Sequence, residues 1–226
     1  MAPKGRILRR GIAATLAVAT AATLALGMTP FATADTRSEK AVTTSSVSRK
    51  GAFQDGMRRL WVDHVTWTRL FIVSFAADLP DLPATTDRLL QNQVDIGDAI
   101  KPFYGEAAGD KLTGLLTEHI LTAAELLAAA KSGNDLAFEE ASDSWYKNAR
   151  QIARFLHEAN PNNWPLSEMR HMMRVHLDLT LREAAHQLGG DYAASVADYD
   201  AVETEILAMA DMLSRGIIKQ FPQKFA

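Results

Sequence analysis

Three histidines fall on apolar helical stripes of this chain. His64 follows Met57, Leu60 and Trp61 and precedes Thr68, Phe71 and Phe75. His119 sits among Leu112, Leu115, Leu116, Ala123 and Leu126, and His176 among Met169, Met172, Met173, Thr180 and Glu183. Apolar residues recurring every three or four positions mark the core-facing side of a helix. A titratable side chain on that side needs a partner or a function, because burying it alone is costly. Three neutral imidazoles with one or two carboxylates and no thiolate form a donor set for a single transition metal ion. Zinc, copper(II), iron and manganese all suit such a set.

The carboxylates that fit this reading are Asp95, in line with Asn92 and Ala99, and Glu183, two turns beyond His176. Thr68, Asn92, Asn148 and Thr180 are placed to orient the imidazoles by hydrogen bonds, as groups behind metal ligands do. Glu118 neighbours His119. If the metal is catalytic, it needs an open coordination position holding water, with Glu183 or Glu118 as general base. Whether the metal is catalytic, stored or structural is not legible at this level.

Other chemistries find less support. Glu183-Ala184-Ala185-His186 is a Glu-x-x-His run, but its only other copy, Glu168-Met169-Arg170-His171, lies on the same predicted helix. Di-iron carboxylate bundles need the motif on two helices, so a mononuclear centre fits better. The chain has no cysteine, which removes thiolate sites, disulfides and covalent haem attachment. No Gly-rich phosphate loop, Gly-x-Ser-x-Gly or His-Glu-x-x-His is present. Asp198 and Asp200 read as a solvated face.

The elements that must carry the histidines are helices punctuated by proline and glycine. Apolar periodicity predicts helices over about 52–78, 85–101, 105–131, 135–159, 166–188 and 191–219. The second is expected to stop before Pro102, and Trp164 in the loop before the fifth to pack back on the fold. No strand-like alternation and no internal repeat stands out. Short connections imply antiparallel neighbours, so the expected fold is all-α, a six-helix up-down bundle with a four-helix-bundle-like core. The histidines lie about 12, 14 and 11 residues into the first, third and fifth helices, or about 17–21 Å along each axis. If those helices run parallel, the three imidazoles share one layer.

Residues 1–34 read as a cleavable signal peptide, with Lys4, Arg6, Arg9 and Arg10 before an apolar run and Ala32-Thr33-Ala34 at the expected cut. Residues 35–50 read as a polar linker, leaving 51–226 as the bundle domain and a secreted or extracytoplasmic location. Without the leader, 20 basic side chains face 27 acidic ones, a net charge near −7. Such a domain is a poor partner for nucleic acid or for anionic membrane surfaces. Two further readings use the same residues. One is a non-enzymatic envelope or interaction module with a buried His–carboxylate hydrogen-bond network. The other is a carrier of haem or of a small molecule.

Overall fold

The computed structural model describes residues 49–225, so the expected signal peptide and most of the expected linker lie outside the described residues. Six helices follow in order: α1 (Arg49–Ala76), α2 (Leu82–Tyr104), α3 (Glu106–Ser132), α4 (Asp135–Ala159), α5 (Leu166–Gly189) and α6 (Tyr192–Gln220). A 3-10 turn, Pro222–Phe225, follows α6, and no strand occurs among the described residues. Helix α1 begins at Arg49, two residues inside the expected linker. The fold is an all-α bundle in which consecutive helices pack on each other and α6 returns to α1; α1 also touches α5.

Helix ends obey local chemistry. Gly133 and Gly190 close α3 and α5 in the left-handed conformation, at φ 66° and 80°. Asn134 and Asp191 cap α4 and α6 by accepting the amides of Ala137 and Ala194. Helix α2 departs from expectation at both ends. It starts at Leu82 with proline in its first turn, where the missing N–H has no helical partner to lose. It also runs through Pro102 to Tyr104. So near the end the ring forfeits only the bond to the Asp98 carbonyl, and Asp98 is exposed to water.

Buried side chains form a large apolar core around Trp61, Ile96, Leu116, Ile152, Leu177 and Ile206. A smaller one, Phe71, Ile72, Leu89, Ile120, Leu127 and Ala184, lies beyond the histidines toward the C-terminal ends of α1, α3 and α5. Trp164 is 2% exposed and rests on Gly216, as expected of an aromatic folded back from its loop. Helix α3 is long and apolar enough to cross a membrane by length and composition alone. Here it packs between α2 and α4 and buries His119.

Candidate metal centre

The odd helices α1, α3 and α5 bring His64, His119 and His176 together in the core. All three are buried, at 2–4% exposure. Their ring centroids form a near-equilateral triangle with sides of 6.4 Å (His64–His119), 5.8 Å (His64–His176) and 6.2 Å (His119–His176). The ring planes are tilted by 31–38° from one another. Trp61 meets His64 edge-on at 5.8 Å, and Trp145 stacks on His119 at 5.5 Å.

Each imidazole is met at Nδ1 by a side chain from the following helix. Asn148 on α4 places Oδ1 3.2 Å from His119 Nδ1, while its Nδ2 donates to the Leu115 carbonyl at 3.0 Å. That second bond fixes which way the amide points. Nδ1 of His119 therefore carries the proton and donates it, which makes Nε2 the nitrogen with the lone pair. His176 donates from Nδ1 to Glu205 Oε2 on α6, 3.2 Å away, with the same consequence. A carboxylate behind an imidazole is a common arrangement at metal-ligating histidines.

His64 is held less firmly. Gln93 Nε2 lies 3.4 Å from His64 Nδ1, but it is closer to the Leu89 carbonyl, at 2.7 Å, and to Asn92 Oδ1, at 3.3 Å. Two amide hydrogens face three acceptors, and His64 is the farthest. Gln93 Oε1 has no protein partner. Asn92 Nδ2 donates to the Leu60 carbonyl at 3.0 Å, the counterpart of the Asn148–Leu115 bond.

These contacts disclose an internal repeat that the sequence conceals. His64–Gln93, His119–Asn148 and His176–Glu205 are each 29 residues apart. The described residues form three helical hairpins, α1–α2, α3–α4 and α5–α6. Each contributes one core histidine and, from its second helix, one polar side chain behind it.

The remaining expected residues divide. Thr68 and Thr180 stand one turn above His64 and His176, and their hydroxyls donate to those residues' carbonyls at 2.8 and 2.9 Å. They act on the backbone and not on the rings. Asp95 does not join the layer: it is part-exposed, accepts from Gln91 at 3.0 Å and lies 3.8 Å from Arg88. Glu118 is exposed on the outer side of α3. Glu183 is buried, at 1% exposure, but its Oε1 accepts from Arg69 Nη1 at 2.7 Å. Seven residues beyond His176, it lies about 10 Å further along the axis. The carboxylate that reaches the layer is Glu205, which the sequence reading passed over. Asp198, expected on a solvated face, is 7% exposed and accepts from Arg182 and His186 at 2.6 Å each.

Burial depresses the basicity of two of the imidazoles. His119 is lowered to about 3, first by desolvation and then by the neighbouring His176. His64 is lowered well below the ordinary value by desolvation, with His176 and His119 adding to it. Both are neutral at physiological pH, the form that ligates metals. Burial raises Glu183, and Arg69 partly offsets this.

Compared with family models, with curated proteins and with solved structures, the chain matches none. The geometry of the site is therefore the only guide to its use. As they stand, no three His, Cys, Asp or Glu side chains among the described residues are grouped so as to hold a metal ion. Three imidazole nitrogens at roughly 2.0–2.1 Å from one ion would put ring centroids about 5.2–5.6 Å apart. Each ring here would have to turn Nε2 to the centre and move inward by about 0.3–0.5 Å.

Proposed function

We propose that this chain is an exported helical bundle that holds one divalent transition-metal ion, zinc, copper or iron, on Nε2 of His64, His119 and His176. The single observation that carries the reading is the triangle of buried imidazoles, two of which commit Nδ1 outward to Asn148 and Glu205. With Nδ1 of His119 and His176 spent on Asn148 and Glu205, Nε2 is the nitrogen each ring has for a metal ion. Asn148 and Glu205 orient the rings, and Gln93 and Asn92 attend the third. Three neutral nitrogens leave the ion its full charge and a fourth position for a further ligand. Export is supported by the leader of residues 1–34.

The test is metal titration of the chain from Asp35 onward, stripped with chelator and then offered zinc, copper(II), iron(II) or cobalt(II). About one equivalent is expected to bind one of these, and cobalt to give the visible bands of a four-coordinate nitrogen site. His119→Gln, with an unchanged far-ultraviolet spectrum, should abolish the stoichiometric binding. Less than about a tenth of an equivalent with every ion, in folded protein, would overturn the reading. It would leave a buried hydrogen-bond network that sets helix register.

A further inference from the structure

Beside the histidine layer, toward the C-terminal ends of α1, α3 and α5, lies a cavity of about 280 Å³. Its inner end is formed by Thr68, Ala123 and Thr180. Each of these is four residues, one helical turn, beyond a histidine of the triad. Trp145 also lines it, while stacking on His119. Exposed Ala130 and Ala185 stand at its outer edge. All the other lining side chains are aliphatic or phenylalanine.

The chemistry of this wall selects its occupant. Both threonine hydroxyls already donate to helix carbonyls. The one unspent hydrogen-bond donor among the lining side chains is the Trp145 indole N–H, which is buried without a partner. A water molecule needs two to four polar partners to be held, and an apolar cavity of about 150 Å³ stays dry and takes up benzene. This one has nearly twice that volume and no charged group. Ions, sugars and peptides would lose their hydration and find nothing in return.

We infer that the cavity is a binding site for a small, uncharged, largely apolar molecule of about bicyclic aromatic size, seated one turn above the histidine triad. Binding depends only on the cavity. The further role of that molecule as the ligand or substrate brought up to the metal rests on the function proposed above. Trp145 joins the two sites physically, because one indole lines the cavity and stacks on a proposed metal ligand.

The experiment is titration of metal-free protein, from Asp35 onward, with naphthalene and with indole, followed by calorimetry and by methyl NMR. One molecule should bind with a Kd of about 10–100 μM, within the range small apolar ligands reach. A negative heat-capacity change should accompany it. Methyl shifts should centre on Ile72, Ala123, Leu127 and Ala184. Ala123→Phe, which fills the inner end, should weaken binding at least about tenfold; if it does not fold, Ala185→Phe at the outer edge serves instead. Absence of heat and of methyl shifts with both probes in folded protein would overturn the inference. So would equal affinity in a folded filled variant, or shifts centred elsewhere. Because no metal is present in this titration, its failure is separate from failure of the metal titration.

Discussion

Asn148 grips His119 and the helix that carries it at once: Oδ1 meets His119 Nδ1 at 3.2 Å, and Nδ2 donates to the carbonyl of Leu115 at 3.0 Å, one turn earlier on α3. The amide is fully buried, so each of these groups has no water to fall back on. Orientation of the ring is set by the same side chain that fixes the α3–α4 register.

Asn148→Leu should therefore do two things. It should cost about 1–3 kcal/mol of stability, because His119 Nδ1 is left buried without a partner and the Leu115 carbonyl keeps only its helical bond. It should also weaken metal binding about 10–100-fold, the usual effect of removing the group behind a ligating histidine. Glu205→Ala should weaken metal binding similarly through His176. Urea unfolding and zinc titration of each variant check both parts; unchanged zinc affinity in folded variants would remove these residues from the site.

The pH dependence of the metal-free protein has a definite sign. His64 and His119 are less basic folded than unfolded, so the unfolded chain takes up protons first. Stability is complete above about pH 6.5 and is lost as pH falls toward the His119 value of about 3. Each histidine contributes a slope of about 1.4 kcal/mol per pH unit in that window. Denaturant unfolding at pH 6 and pH 5 should differ by about 2–3 kcal/mol. His119→Gln should roughly halve the difference, and a flat profile would contradict it.

Arg69 and Glu183 make a partly buried ion pair, 2.7 Å long, with Glu183 the deeper member. Arg69→Met strands a buried carboxylate and should cost about 3–5 kcal/mol at pH 7. Because the stranded carboxyl prefers its protonated form, that cost should shrink as pH falls from neutrality toward the usual carboxylate range, where the unfolded chain takes up the proton too. Replacing both residues by methionine should recover most of the stability, since the pair is absent as a unit. A double-mutant cycle by thermal unfolding measures the coupling.

Gly97 and Gly109 let α2 and α3 approach closely. A methyl group on Gly97 would lie 2.0 Å from Thr113 Oγ1 and 2.7 Å from the Gly109 carbonyl oxygen. The second obstacle is backbone and cannot swing aside. Gly97→Ala should destabilise the protein by about 1–3 kcal/mol despite the better helix propensity of alanine, and Thr113→Ala should rescue only part of it. Melting temperatures of the single and double variants decide this.

The helices and the histidine layer were legible because both follow from a period of 3.6 residues. His64, His119 and His176 sit on their stripes, and similar depths along parallel helices bring them level. Asn92 and Asn148 were legible for the same reason. Asp95 was not, because three residues turn a helix by only 300°: the buried line of α2 runs Leu89, Asn92, Gln93, Ile96, Ile100, and Asp95 falls at its edge beside Arg88. Glu183 shares a face with His176 but is too far along the axis. Glu205 and Gln93 depend on how each hairpin returns, which loop geometry decides and stripe patterns do not record. The recurrence of 29 residues between histidine and polar partner is concealed because the partners differ in type, Gln93, Asn148 and Glu205.

The three hairpins have a consequence for when the site can exist. Each supplies a single imidazole, which alone is a weak ligand, and the last partner, Glu205, lies near the end of the chain. On the proposed function, a partly synthesised chain therefore offers no three-histidine pocket for a metal ion to seize. Occupancy then becomes a signature of completed assembly: an ion found at the triad would certify that all three hairpins had docked.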